Sequence, residues 1–145
     1  MNLEKKKWKS ITLDDACTFV RGVVFSTKDE VDSGGYSILR SHNVDFENSK
    51  VSLHNLKFVS ESVKVKPEQR LMKNDILISV ANSKEQTGKV GFSYENTNTY
   101  AGGFMAILKP KDTIYPFYLF TYLLTNDSKD FIAGRTQGTT NIFNI

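Results

Sequence analysis

The chain has 145 residues, 39% of them hydrophobic and 24% charged, with ten Phe and six Tyr, a balance that suits one packed core and excludes a disordered tail or two well-built domains. Its formal charge of +3 decides nothing about a polyanionic partner, because Lys5, Lys6, Lys7 and Lys9 stand against Glu4 at the start and the other 135 residues carry 15 basic and 15 acidic side chains. Local potential, not the total, is what matters.

Cys17 is the only cysteine, so no intramolecular disulfide can form and a thiolate metal site lacks partners. The basic start is not followed by the apolar stretch of a signal peptide, and no run nears the ~18 apolar residues of a membrane span. The expected setting is the cytoplasm, with no membrane partner.

In chain order, "WKSITLDDACTFVRG" predicts a helix over 13–20. Thr12 is the N-cap and Asp15 holds the capping-box position; Leu13, Ala16, Cys17 and Val20 follow at helical spacing, and Gly22 is the stop. Cys17 reads as a small core residue. Trp8 either covers this helix or contacts a partner.

Strand signals follow at 36–39, 50–53 and 56–59, short runs rich in β-branched or aromatic residues between polar turns, and continue in "DILISV", "GKVGFSY" and "FMAILKP". No repeat is present, which argues against a propeller or solenoid. Helix returns over 116–133, from Pro116 to the stop at Gly134, with a candidate break at Asn126 and Asp127. The expected fold is a mixed α/β single domain, strand-rich in the middle and flanked by N-terminal and C-terminal helices. Ile76, Leu77, Ile78, Val80, Phe104, Ile107, Leu119 and Leu123 are the core candidates.

Catalytic signatures are missing. There is no glycine-rich phosphate loop, no dinucleotide fingerprint and no zinc-protease helix. His42 and His54 lack ligand neighbours. Asp29, Glu30, Asp32, Asp45 and Glu47 form the densest acidic group, in charge-mixed sequence that suits a solvated surface. The residues point to a binding domain with no catalytic or metal site.

Residues 81–89, "ANSKEQTGK", form a polar tongue between two strand-like runs. Asn82 and Gln86 can bond base edges, Ser83 can donate and accept, and Lys84 and Lys89 can hold phosphates or guanine. The alternative is an ordinary exposed hairpin loop.

"ITLDDACTFVRG" after a Trp, "YSILRSHNV" at 36–44, "LMKNDILISVANS" with "TGKVG" at 71–91, and "PFYLFTYLLTND" with "IAGRTQGTTNI" at 116–142 follow one another in order. Together they resemble a target recognition domain of the DNA specificity subunit of type I restriction-modification systems, over essentially the whole chain. The resemblance implies a non-catalytic reader of double-stranded DNA. Such subunits usually carry two of these domains, separated and followed by long helices that dock the methyltransferase subunits. It further implies that S-adenosylmethionine, ATP and Mg²⁺ are bound by the partner methyltransferase and restriction subunits, and that this chain binds no cofactor. In the family the domain runs on into a long helix, so residues 1–145 are expected to be one recognition domain without it, and assembly with a methyltransferase requires that helix.

On this basis the DNA-binding candidates are Asn82, Ser83, Lys84, Gln86 and Lys89, then Arg40 and Asn43, then Arg135, Gln137 and Thr139. Each has a structural rival: Arg40 pairing with Asp45 or Glu47, Asn43 capping a turn, the residues around Gly138 ending a helix. The rival functions are a protein interaction module or truncated fragment that pairs with another subunit without reading DNA, and a small nuclease or modification domain.

Overall fold

A computed structural model of the chain describes residues 9–45, 47–134, 137–139 and 142–144; for Asn82, 137–139 and 142–144 the description is of the backbone alone. Trp8 lies outside these residues.

The first helix, α1 (Leu13–Ala16), is one turn long. Its capping box is the expected one: Thr12 Oγ1 accepts from the Asp15 amide at 3.1 Å, and Asp15 Oδ2 accepts from the Thr12 amide at 3.2 Å. The predicted continuation to residue 20 does not occur. Cys17 is extended at φ −150°, and Cys17–Arg21 form strand β1. Thr18, Phe19 and Val20 favour a pleated backbone, and β9 (Met105–Pro110) offers an antiparallel partner over the whole length, from Cys17 opposite Pro110 to Arg21 opposite Ala106. Cys17 is buried, and that burial pushes its thiol pKa up, in keeping with a core role.

Strands β5 (Ile76–Ser79) and β7 (Val90–Phe92) complete a sheet in the order β1-β9-β5-β7, antiparallel throughout. A second sheet has the order β2-β4-β3-β8, from β2 (Glu30–Val31), β3 (Tyr36–Leu39), β4 (Lys57–Val59) and β8 (Thr99–Ala101). Within it β3 and β8 run parallel. The expected strand at 50–53 is reduced to isolated bridges at Lys50 and Val51, because the carbonyls of Ser52 and His54 are taken by the side chain of Asn43.

The first sheet is covered on both faces. Ile76, Ile78, Ala106 and Leu108 pack with Leu119, Phe120 and Leu123 of α2 (Pro116–Leu123). The alternate residues Leu77, Met105 and Ile107 pack the other way, against Leu39 and Ala101 of the second sheet. This explains the unbroken apolar runs in β5 and β9, where a half-exposed strand would alternate. Of the core candidates Phe104 alone is misplaced: it sits in the turn before β9, 56% exposed.

The chain passes between the sheets where Gly22 meets Gly102. A Cβ on Gly22 would lie 1.7 Å from the Gly102 carbonyl oxygen, so only the hydrogen side chain permits this crossing. The C-terminal helical segment divides at Leu124 and Thr125, slightly before the expected break. Thr125 Oγ1 caps α3 (Asn126–Ala133) by accepting from the Ser128 amide.

One ion pair ties β9 to the start of β5. Lys109 Nζ lies 2.6 Å from Asp75 Oδ2, with the side chains 25% and 8% exposed, and Asp75 Oδ2 also accepts from the Met72 amide. Burial raises the Asp75 pKa while Lys109 and the Met72 amide pull it back. Lys109→Met removes the compensating cation, so the Asp75 pKa climbs further. A carboxyl raised in the folded state contributes stability below its unfolded pKa and loses it as pH rises through the folded value. Lys109→Met should therefore cost little near about pH 4 and about 2–3 kcal/mol near about pH 8, read by urea denaturation at both.

Candidate nucleic-acid interface

The tongue leaves the core at Ser79 and returns at Val90. Its root is held by backbone bonds: the Val80 and Ala81 amides both donate to the Phe104 carbonyl, the Gly88 amide to Ser79 and the Ser79 amide to Lys89. Phe104, misjudged as core, thus serves the tongue through its carbonyl. Within the loop the Thr87 amide and hydroxyl both donate to the Ser83 carbonyl. Gly88 closes it at φ +91°, a conformation that a side chain would strain, and faces Ile132 of α3.

Two further segments join it. Ala81–Asn82 form β6, which pairs antiparallel with β11 (Ile142–Asn144), Asn82 lying opposite Phe143. Strand β11 pairs in turn with β10 (Gln137–Thr139), Gly138 opposite Phe143. At the ~4.8 Å spacing of paired strands, Gln137 and Thr139 lie two strands, roughly 10 Å, from the tongue backbone. From the other side, Lys89 Nζ donates to the carbonyl of Ser41 at 3.3 Å. The three polar segments that are far apart in sequence are therefore neighbours in space. Arg135 falls outside the described residues.

Individual candidates differ in what they can do. Lys84 is exposed, and Ser83, Gln86 and Lys89 are half-buried. Lys89 Nζ also donates to Gln86 Oε1 at 3.0 Å, and burial lowers its pKa, opposed by Asp45. Asp45 is itself held low by the amides of Glu47 and Asn48.

Arg40 forms no ion pair with Asp45 or Glu47. Its Nη2 lies 3.2 Å from both His42 Nε2 and the Asn55 carbonyl, which fixes the guanidinium at the rim. Asn43 is fully buried: Oδ1 accepts from the Arg40 amide, and Nδ2 donates to Ser52 and His54. It holds the turn in shape and has no exposed atom for a base edge, so it is better placed as a support for Arg40 than as a contact.

Sequence reasoning missed two neighbours. His42 sits beside Arg40. Lys129 lines, with Lys84, Lys89, Asp45 and Ile132, a cleft of about 300 Å³ between the tongue and α3. Nothing in the helical pattern singles out one exposed lysine; only the packing of α3 on Gly88 does. Among the described residues no three His, Cys, Asp or Glu side chains gather as a metal site needs, and no helix is long and apolar enough to cross a membrane.

The profile of the type I restriction modification DNA specificity domain matches residues 5–145. The chain belongs to this family. Solved structures agree on the fold of this specificity domain. An S subunit of a type I restriction-modification system from M. genitalium is 17% identical, with a TM-score of 0.58 over 100% of this chain and 33% of that one. The HsdS subunit from Thermoanaerobacter tengcongensis is 18% identical, with a TM-score of 0.59 over 85% and 28%. A chain from a structure on complex assembly and conformational transition of the type I R-M system is 18% identical, with a TM-score of 0.56 over 77% and 26%. The specificity domain therefore spans about a quarter to a third of the solved chains it matches. No curated protein sequence matches it.

The buried amide of Asn43 makes a direct prediction. Asn43→Ala leaves two carbonyls and one amide without their partner and should cost about 2–3 kcal/mol, read as a lower denaturation midpoint.

Proposed function

We propose that this specificity domain reads part of a double-stranded DNA target by sequence, as the recognition portion of a type I specificity subunit. The observation that carries this is the convergence of the tongue, the 40–43 turn and the paired strands β10 and β11, joined by the β10-β11-β6 register and by the bond from Lys89 to Ser41. Ser83 and Gln86 lie on the tongue and Lys84 and Lys129 line the cleft beside it, which suits a division of labour in which bases are read by polar groups and phosphates held by cations.

In this reading the chain is a cytoplasmic, non-catalytic component. It binds no cofactor; S-adenosylmethionine, ATP and Mg²⁺ belong to the methyltransferase and restriction subunits with which the complete specificity subunit assembles. The contact set is Asn82, Ser83, Lys84, Gln86, Arg40, Gln137, Thr139 and Arg135, with Asn43 as support.

The second reading, an interaction module, is favoured by one feature. Exposed Tyr115, Tyr118, Tyr122 and Phe131 surround a groove of about 810 Å³ between the two C-terminal helices and residues 9–13, the type of aromatic patch that marks a protein contact. The two uses are compatible on opposite jobs of one domain.

Selection from a randomised duplex pool decides whether the domain reads DNA: enrichment of one motif is expected, and a pool left unchanged would sink the proposal. With the motif in hand, Lys84→Ala should weaken binding to every sequence alike and reduce the slope of log K against log salt by about 0.9. Gln86→Ala should instead leave the slope alone and cost about 1–3 kcal/mol on the preferred duplex only.

A further inference from the structure

Lys84 and Lys89 look equivalent in sequence, five residues apart on one loop, and the structure treats them differently. Lys84 is exposed. Lys89 is half-buried and spans two segments 48 residues apart, with Nζ 3.3 Å from the Ser41 carbonyl and 3.0 Å from Gln86 Oε1. An ammonium group can only donate, so the atom of Gln86 that faces it must be the oxygen. That removes the usual ambiguity over which way a glutamine amide points. Among the described residues the Gln86 Nε2 has no partner.

We infer that Lys89 is a positioning residue that orients Gln86 for base recognition, turning its amide nitrogen outward, rather than a phosphate contact. This rests on the DNA-reading function above. A free glutamine pairs with adenine in a bidentate way, its oxygen accepting from N6 while its nitrogen donates to N7. With one lone pair of Oε1 engaged by Lys89, Gln86 leads with its amide nitrogen, and the oxygen is no longer free to turn into the bidentate pose. To such a donor guanine offers two major-groove acceptors, N7 and O6, and thymine offers O4, whereas adenine offers N7 beside a donor at N6 that the held oxygen no longer meets. The position read by Gln86 is therefore guanine or thymine, and adenine is disfavoured. The second bond of Lys89, to the Ser41 carbonyl, anchors the tongue to the 40–43 turn, so the two segments hold one relative pose.

Two arms test this, one without DNA. In the first, side-chain NMR of the free protein is compared between the parent and Lys89→Met, a variant of similar length that cannot donate. The Gln86 amide should be ordered in the parent and rotationally averaged in the variant. Equal order in both would overturn the inference whatever the protein binds. In the second, the motif is selected again with Lys89→Met. Preference at one position should relax by about tenfold to admit adenine, the other positions should be unchanged, and the salt slope should stay that of the parent. Gln86→Ala should abolish the preference at that same position, with no further change in the double variant. A slope reduced by about 0.9 would make Lys89 a phosphate contact, and a loss of preference at every position would make it a general prop of the fold. Either result defeats the assignment. A parent protein that enriches no motif would sink the DNA reading, and the NMR arm would still decide the orientation of Gln86.

Discussion

Strand β5 is buried on both faces, and this constraint shapes the rest of the molecule. A strand sandwiched between α2 and a second sheet offers no side chain to water within its length, and even its one polar residue, Ser79, is fully buried. Everything that is to meet water must be placed beyond Ser79 on one side and before Val90 on the other. The tongue begins and ends at those points, and the turn at Phe104 supplies the carbonyl that receives its first two amides. The glycine contact between residues 22 and 102 serves the same arrangement, since it lets the segment after β1 and the link from β8 to β9 approach each other where the chain crosses between the sheets.

Polar groups in and near the interface fall into two sets, and the distinction is one of solvent access more than of residue type. Asn43 and Lys89 have side chains that candidate base-readers also use, yet both spend them on protein carbonyls or on a neighbouring amide. Their work is to remove conformational freedom. Free recognition side chains would have to be ordered on binding, at about 0.5–1.5 kcal/mol for each rotamer-rich one. Groups already held in place by Asn43 and Lys89 avoid part of that loss.

How much of this was legible in the sequence depends on the range of the interactions concerned. The tongue could be seen because its signals are local: an apolar run, a polar break, a glycine and a second run. The capping box at Thr12 and Asp15 is equally local and was read correctly. Strand β1 was not, since Leu13, Ala16, Cys17 and Val20 fit helical spacing and the competing partner, β9, lies some ninety residues further on. The strand expected at 50–53 failed for a related reason, the Ser52 carbonyl being claimed by the side chain of Asn43 from another segment. Asn43 looked like a contact because composition cannot report burial. Lys89 looked like Lys84 because spacing does not say which of two lysines turns inward. The neighbourhood of the tongue with the last two strands had no sequence signal at all; it exists only in the register of β6, β11 and β10.

The tongue is anchored in buried residues at its two ends, at Ala81 and at Val90. Between them the Thr87 amide and hydroxyl donate to the Ser83 carbonyl, Asn82 pairs with Phe143 of β11, and Lys89 reaches Ser41. Such a loop behaves as an exchangeable cassette: its side chains can be rewritten by mutation without asking the scaffold to repack. The barrier to acquiring a new preference is then set by Gly88, which the turn needs, and by Lys89, which ties the cassette to its neighbour. A lineage that retains those two residues is free to drift at positions 83–87.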